Sequence, residues 1–415
     1  MSFDRRQFLR RSGLGVVGAV AGLAGSSDDA GATERSVSES DALLGGAALA
    51  PVPFHGAHQA GILTPQPPAA AFVAFDAIAP HRADLAELFR TLTSRARFLT
   101  TGGVPPQLGV ASPPSDSGTL GPRLPADGLT VTVGVGSTLF VGRYRLAALK
   151  PRHLAPMSAF PNDDLDPAWC GGDLLLQLCA GSTDVVLHAM RDIAKHTRGA
   201  MQIRWRLDGY LSPPRPDGIG RDNLGFMDGI ANPRVEEPSV ADKLLWVVPG
   251  TGEPAWAAGG TYHVVRLIRM FIEFWDRVSL SEQQNMIGRY RASGAPIGMT
   301  SYGDVPDYAR DPYGLDVPLS AHMRVANPRT AATEPSRIFR RSYNYDLGTD
   351  LNGDLNMGHA FNCFQQDVTR QFEVVQTRLV NEALDDYVSP FGGGYFFALP
   401  GVKDESDWYG RGLLA

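Results

Sequence analysis

DLLLQLCA (Asp173–Ala180), STDVVLHAMRDIAKH (Ser182–His196) and MQIRWRLDGY (Met201–Tyr210) follow one another almost without interruption. The first is an unbroken apolar run of strand length. The second places Val186, Met190 and Ile193 on one helical face behind a capping Ser182 or Thr183, and the third is a further strand. Upstream, AFVAFDA (Ala71–Ala77) alternates like a strand, Leu85, Leu88, Phe89 and Leu92 recur at helical spacing, and LTVTVGVG (Leu129–Gly136) reads as another strand. The order is strand, helix, strand, strand, helix, strand. After residue 255 the plan returns: TYHVVRLIRMFIEFWD (Thr261–Asp276) starts as a strand. HAFNCFQQD (His359–Asp367), VTRQFEVVQTRLVNEAL (Val368–Leu384) and GGGYFFAL (Gly392–Leu399) then close as strand, helix, strand. Two copies of this plan predict an α+β protein with two ferredoxin-like domains, each an antiparallel sheet with helices on one face.

The chain of 415 residues is long enough for two or three domains and a sizeable core. Its 46 Gly and 31 Pro exceed the usual ~12% of a chain, so long connections frame whatever cavity it holds. A net charge of −6 without clustered Lys and Arg argues against nucleic acid as a partner. Three cysteines, Cys170, Cys179 and Cys363, are too few for a disulfide scaffold and lack zinc spacing, so they read as small buried hydrophobes.

The first residues read differently. Asp4-Arg5-Arg6-Gln7-Phe8-Leu9-Arg10-Arg11 precedes an apolar run from Gly13 to Gly25 and a small-x-small site at Ala30-Gly31-Ala32. The run falls short of the ~20 residues a membrane helix needs, so no stable membrane insertion is expected after cleavage. Adjacent arginines before Phe-Leu resemble the twin-arginine address for export of folded proteins, to the periplasm or beyond the cell, with Asp4 as a departure. The expected organisation is a signal peptide over 1–32, a Ser-, Ala- and Gly-rich linker over 33–53, an N-terminal domain over 54–215 and a C-terminal domain over 216–415.

Walker loops, HExxH, GxSxG and a strand-borne GxGxxG are absent, and GVGST near Gly134 sits inside a strand pattern. What remains is GFMDG (Gly225–Gly229), AHMRVANPR (Ala321–Arg329) and RIFRRSYNY (Arg337–Tyr345). Singly, each has a bland reading: a turn-forming Asp, a packing His, a solvated Arg pair.

Together, and in this order with FHGAHQAGI (Phe54–Ile62), GGTYHVVRLIRM (Gly259–Met270) and GGGYFFALPG (Gly392–Gly401), they resemble the dye-decolorising peroxidases, a haem peroxidase family with two ferredoxin-like domains. The resemblance covers most of the chain after the signal. It implies one haem b per chain, held mainly by the C-terminal domain. It implies His322 as proximal iron ligand, Asp228 as the distal acid–base group and Arg340 as the distal cation. Glu382, or Asp386 one turn on, would hydrogen-bond the other ring nitrogen of His322. Arg324, Asn327 and Arg329 would line the haem, with a propionate contact from one arginine. FHGAHQAGI reads as structural. Implied partners are hydrogen peroxide, small aromatic reductants such as phenols and dyes, and the twin-arginine export machinery.

These residue types suit peroxide chemistry. Cleaving the O–O bond heterolytically needs one group that acts first as base and then as acid, and a cation that stabilises charge on the departing oxygen. Two such charges ~6 Å apart at an effective dielectric of ~20 attract by roughly 2.8 kcal/mol, enough to hold Asp228 ionised well into acid. Electrons from bulky donors could hop through surface aromatics, but Trp169, Trp205, Trp246, Trp256, Trp275 and Trp408 are mostly of core character and the sequence singles out none. The same family includes exported proteins proposed to release iron from haem and spare the porphyrin. That deferrochelatase-like role is one alternative, and a non-catalytic haem carrier is another, although a carrier has no use for Asp228 and Arg340.

Overall fold

Alternation along β1 (Ala69–Ala77) lets one strand serve two cores. Ala71, Val73 and Phe75 pack toward the helices α1 (Arg82–Thr101) and α2 (Thr183–His196), while Ala70, Phe72 and Ala74 face the opposite way. The structure is a computed structural model and describes residues 48–215 and 218–415. The signal peptide expected over 1–32 and most of the linker expected over 33–53 lie outside the described residues. No helix among the described residues is long and apolar enough to cross a membrane.

β2 (Thr130–Gly136), β3 (Leu174–Ala180) and β4 (Met201–Tyr210) complete the first sheet, antiparallel in the order β2-β3-β1-β4. The second sheet repeats that order as β9-β5-β8-β7, from β5 (Thr261–Met270), β7 (Tyr343–Thr349), β8 (Leu355–Gln365) and β9 (Val388–Ala398). A two-residue β6 (Phe339–Arg340) adds to the side of β8. Both halves therefore have the ferredoxin-like α+β plan. They also join: β2 pairs with β9 through Gly134 and Ala398, and β4 pairs with β7 through Tyr210 and Asn344. The eight longer strands thus close into a ring of hydrogen bonds, which leaves no unpaired sheet edge among them. Phe72, Trp205, Leu207, Val265, Tyr343 and Phe396 fill the space between the two sheets.

In the first half α1 and α2 cover the outer face of the sheet. Leu85, Leu88, Phe89, Leu92, Ala96 and Leu99 form the buried stripe of α1. Ser182 stands at the cap position of α2, but its hydroxyl donates to Asp127 Oδ2 (2.5 Å) and makes no bond to the helix amides, so the expected cap is not formed. Cys179 and Cys363 are buried and Cys170 is half-buried, all three as free thiols.

The second half departs from the repeat. Where α1 would fall, residues 271–342 run as loops with short helices, Ile272–Trp275, Leu280–Ile287 and α3 (His322–Ala326). The long helix expected over 368–384 is a π-helical turn (Thr369–Glu373) followed by α4 (Val374–Leu379). Asn381, in the left-handed region at φ 65°, turns the chain away. Without a long helix to fill it, the outer face of the second sheet becomes the floor of a cavity.

Candidate active site

That floor is read off the strand period. Arg266, Ile268 and Met270 of β5, His359 and Phe361 of β8, and Val388 and Pro390 of β9 all line the cavity. Arg266 is fixed by a buried ion pair with Asp163 (Nη1 to Oδ2, 3.1 Å). The opposite walls come from α3, α4, the loop around Asp228 and the segment before β6.

GFMDG works as a clamp. Gly225 and Gly229 both have φ of 88°, the left-handed region that a side chain disfavours. Asp222 Oδ1 accepts from the amides of Leu224 and Phe226, both at 3.0 Å, and Trp275 Nε1 donates to Leu224 O (3.0 Å). Leu224 and Phe226 are buried against Met270, Ile272 and Trp275. With that side of the loop anchored, Asp228 faces the cavity.

Arg340 Nη1 donates to Asp228 Oδ1 at 3.1 Å, a direct hydrogen-bonded pair and closer than the separation assumed from sequence. At an effective dielectric of 20 such an attraction is on the order of 4 kcal/mol before desolvation. Burial pushes the Asp228 carboxyl upward, but Arg340 and His359 outweigh it and hold it well below the usual carboxylate range. Asn232 braces the pair: Arg340 N donates to its Oδ1 (3.0 Å), and its Nδ2 donates to Arg340 O (2.8 Å). Neighbouring Asp222 moves the other way, pushed up to about 6 chiefly by burial. Sequence reasoning gave no role to Asn232, Asp222 or His359. Asn232 lies just beyond the quoted GFMDG stretch, but nothing in its local pattern marks a side chain that reaches across to β6.

His322 opens α3 and lines the cavity. Its Nδ1 lies 2.9 Å from both oxygens of Glu382, which settles the choice against Asp386. The left-handed turn at Asn381 delivers Glu382 there, almost fully buried. Burial opposes charge on His322, but Glu382 more than offsets it and the net shift is upward. Nδ1 thus carries the hydrogen given to Glu382, and Nε2 is the ring nitrogen left able to hold a metal.

The structure does not bring Arg324 into this site. It bonds Asp311 Oδ2 (2.9 Å) and Val317 O (2.8 Å) and stacks over Tyr308, and it does not line the cavity. The reason is helical geometry: two residues along α3 turn a side chain by about 200° from His322. Asn327 and Arg329 do line the cavity, the latter from a left-handed backbone at φ 56°. Arg289 and Arg337, which the sequence did not single out, join them on the wall.

Residues 59–211 match the N-terminal and residues 220–403 the C-terminal family model of the Dyp-type peroxidases. The chain belongs to the Dyp-type peroxidase family. It is similar to the deferrochelatase of Escherichia coli strain K12, at 49% identity over 98% of this chain and 96% of that protein. A Yersinia pestis deferrochelatase is 48% identical over 87% of this chain and 84% of its own length. Among solved structures, a DyP-type peroxidase from Cellulomonas bogoriensis superposes with a TM-score of 0.78 at 36% identity, covering 88% of this chain and 98% of that one. Ferric DtpA from Streptomyces lividans gives 0.79 at 32%, covering 88% and 97%.

A Dyp-type peroxidase binds haem, and the cavity of this one fits the group on its own chemistry. Ile268, Met270, Phe361, Phe372, Val375 and Leu379 supply apolar walls for a macrocycle. Arg289 and Arg329 have no carboxylate partner among the described residues, and the Nε atoms of Arg329 and Arg337 are buried without any hydrogen-bond partner. Burial, then Arg329 and Arg340, press the Arg289 guanidinium down to about 10, a sign of positive charge concentrated without its anion. A group with two carboxylates answers that excess.

Proposed function

We propose that His322 holds the haem iron, that Arg289 and Arg329 take its propionates, and that Asp228 and Arg340 carry out peroxide reduction coupled to oxidation of bulky aromatic donors such as phenols and dyes. The observation that carries this reading is the Asp228–Arg340 pair facing the same cavity as an imidazole whose Nδ1 is already occupied. Haem, when bound, supplies the iron at which peroxide takes up two electrons.

The protein's own residues handle the proton. Asp228, ionised, accepts it from hydrogen peroxide and returns it to the oxygen that departs as water, so that the carboxylate ends as it began. Arg340 stabilises the negative charge that grows on that oxygen and keeps Asp228 in the form that can accept. Glu382 holds the imidazole in one tautomer and orientation and increases the basicity of the remaining nitrogen.

The similarity to deferrochelatases favours a second reading, in which iron leaves haem and the porphyrin is spared. One experiment separates the two: haem-loaded protein is given peroxide and a phenol in one arm, and excess haem with a reductant in the other. Donor oxidation without porphyrin fluorescence is expected. Fluorescence of metal-free porphyrin, with no oxidised donor, would replace the first reading by the second. Peroxide left unconsumed and no porphyrin released would leave only a carrier.

Export through the twin-arginine route is part of the same proposal, supported by Arg5-Arg6-Gln7-Phe8-Leu9 and the weakly apolar run behind it. Replacing Arg5 and Arg6 by Lys is expected to keep the uncleaved, haem-loaded chain in the cytoplasm, as read by fractionation. Unchanged export of the double variant would remove this part.

A further inference from the structure

The proton chemistry assigned above uses one oxygen of Asp228, yet the structure places a third group on that carboxylate. Oδ1 takes Arg340, and Oδ2 lies 3.4 Å from Nε2 of His359, a separation long for a hydrogen bond but within reach of one as the site tightens. His359 is nearly buried, lines the same cavity, and leaves its Nδ1 without any partner. An imidazole is rarely spent this way on packing alone, since the buried nitrogen forgoes a hydrogen bond.

Its position is fixed by the sheet. His359 pairs with Ile268 of β5 on one side and with Asn344 of β7 on the other. Gly358 before it has no room for a Cβ, which would press on Ile268 O, so β8 lies tight against β5. Asn344 gives both amide hydrogens away, to Ser212 Oγ (3.2 Å) and Arg221 O (2.8 Å), and its Oδ1 is a second buried atom without a partner. His359 and Asn344, paired across β7 and β8, thus each keep one buried polar atom without a hydrogen-bond partner. The carboxylates that bear on His359 are Asp228 and Asp222 from the clamp loop, and Arg340 of β6 bears on the same Asp228. Arg266, on the same face of β5, is neutralised by Asp163.

We propose that His359 is a positioning residue for Asp228: its Nε2–H steadies Oδ2 so that the carboxylate presents a fixed electron pair to the cavity. The inference rests on the peroxidase reading above. No proton is gained or lost by His359 in the net reaction; the one transferred belongs to Asp228. The expected signature is on Asp228 itself: without the Nε2–H contact the second-order rate with peroxide falls about three- to tenfold, and the steep acid limb of the rate sets in at a higher pH because one group that favours the carboxylate is gone.

The test follows haem-loaded wild type, His359→Gln, His359→Leu, Asp228→Asn and the double variant Asp228→Asn/His359→Gln from pH 4 to 9. Stopped-flow mixing with peroxide gives the rate, and cyanide titration, read from the Soret shift, gives a dissociation constant that needs no turnover. Gln, whose amide can still donate to Oδ2, is expected to keep a high rate, Leu to lose it and to raise the pH of the acid limb, and the double variant to match Asp228→Asn alone, since the residue acts through that carboxylate. A rate and an acid limb in His359→Leu equal to wild type, or additive losses in the double variant, overturn the proposal. Wild type that loads haem but ignores peroxide would overturn the peroxidase reading instead, and the cyanide curves would still decide the role of His359.

Discussion

His322→Ala is expected to leave a protein that folds but no longer retains haem at one equivalent. Titrated with haem, the wild type should saturate with a sharp Soret band that survives a competing haem scavenger, and the variant should give up its haem to the scavenger. Two losses combine. The cavity keeps its apolar walls and its arginines, which hold the macrocycle, but no other imidazole is offered: the one remaining histidine on the wall, His359, is directed at Asp228. Glu382, nearly buried, also loses the one side chain it bonds among the described residues, and a buried acceptor left unpaired costs about 1–3 kcal/mol. Glu382→Gln separates the two effects, because the amide oxygen still accepts from Nδ1 while the charge is gone, and it should retain haem. Arg324→Ala should retain haem as well, since that side chain braces Asp311 outside the cavity. Haem retention in His322→Ala equal to wild type would remove the residue from the site.

The contrast between His322 and Arg324 shows where sequence reading stopped. Strand and helix periods place elements because they depend on neighbours in the chain, and the clamp around Asp228 is equally local: two left-handed glycines and a buried Phe226 between them. The pairing of Asp228 with Arg340, 112 positions apart, came from family resemblance and not from any periodicity. Sidedness within a five-residue helix is a different matter. Arg324 lies beside His322 in the chain but on the far side of α3, and no local pattern distinguishes a haem-lining arginine from one that ties a loop. Asn232 and His359 were illegible for a related reason. Asn232 bonds the backbone of Arg340 on β6 and His359 of β8 lies beside Asp228 of the clamp loop, partners more than 100 positions away, and the closure of both sheets into one ring depends on contacts between the two halves. The missing helix after β5 was likewise unmarked, although its absence is what opens the cavity.

Asp228→Asn should bind haem as the wild type does and react with peroxide about 10²- to 10⁴-fold more slowly, the range over which a positioned acid–base group contributes. The amide fills the same space and can still bond Arg340 through its oxygen, so a slower rate with normal haem content isolates the proton transfer. The acid side of the wild-type profile gives the sharper test. Because Arg340 and His359 outweigh burial and hold the carboxyl below its ordinary value, Asp228 stays ionised as pH falls through 5 and 4. A base being protonated would cost tenfold in rate per pH unit; here the rate should run level until below the ordinary carboxylate value of 3.8. Arg340→Leu reverses the balance. With the countercharge gone, desolvation is the largest remaining influence, the carboxyl rises, and the steep acid limb should appear at a pH where the wild type is still level. A steep limb at the same pH in both proteins would mean that some other group takes the proton, because the Asp228 carboxyl must rise when its Arg340 countercharge is removed.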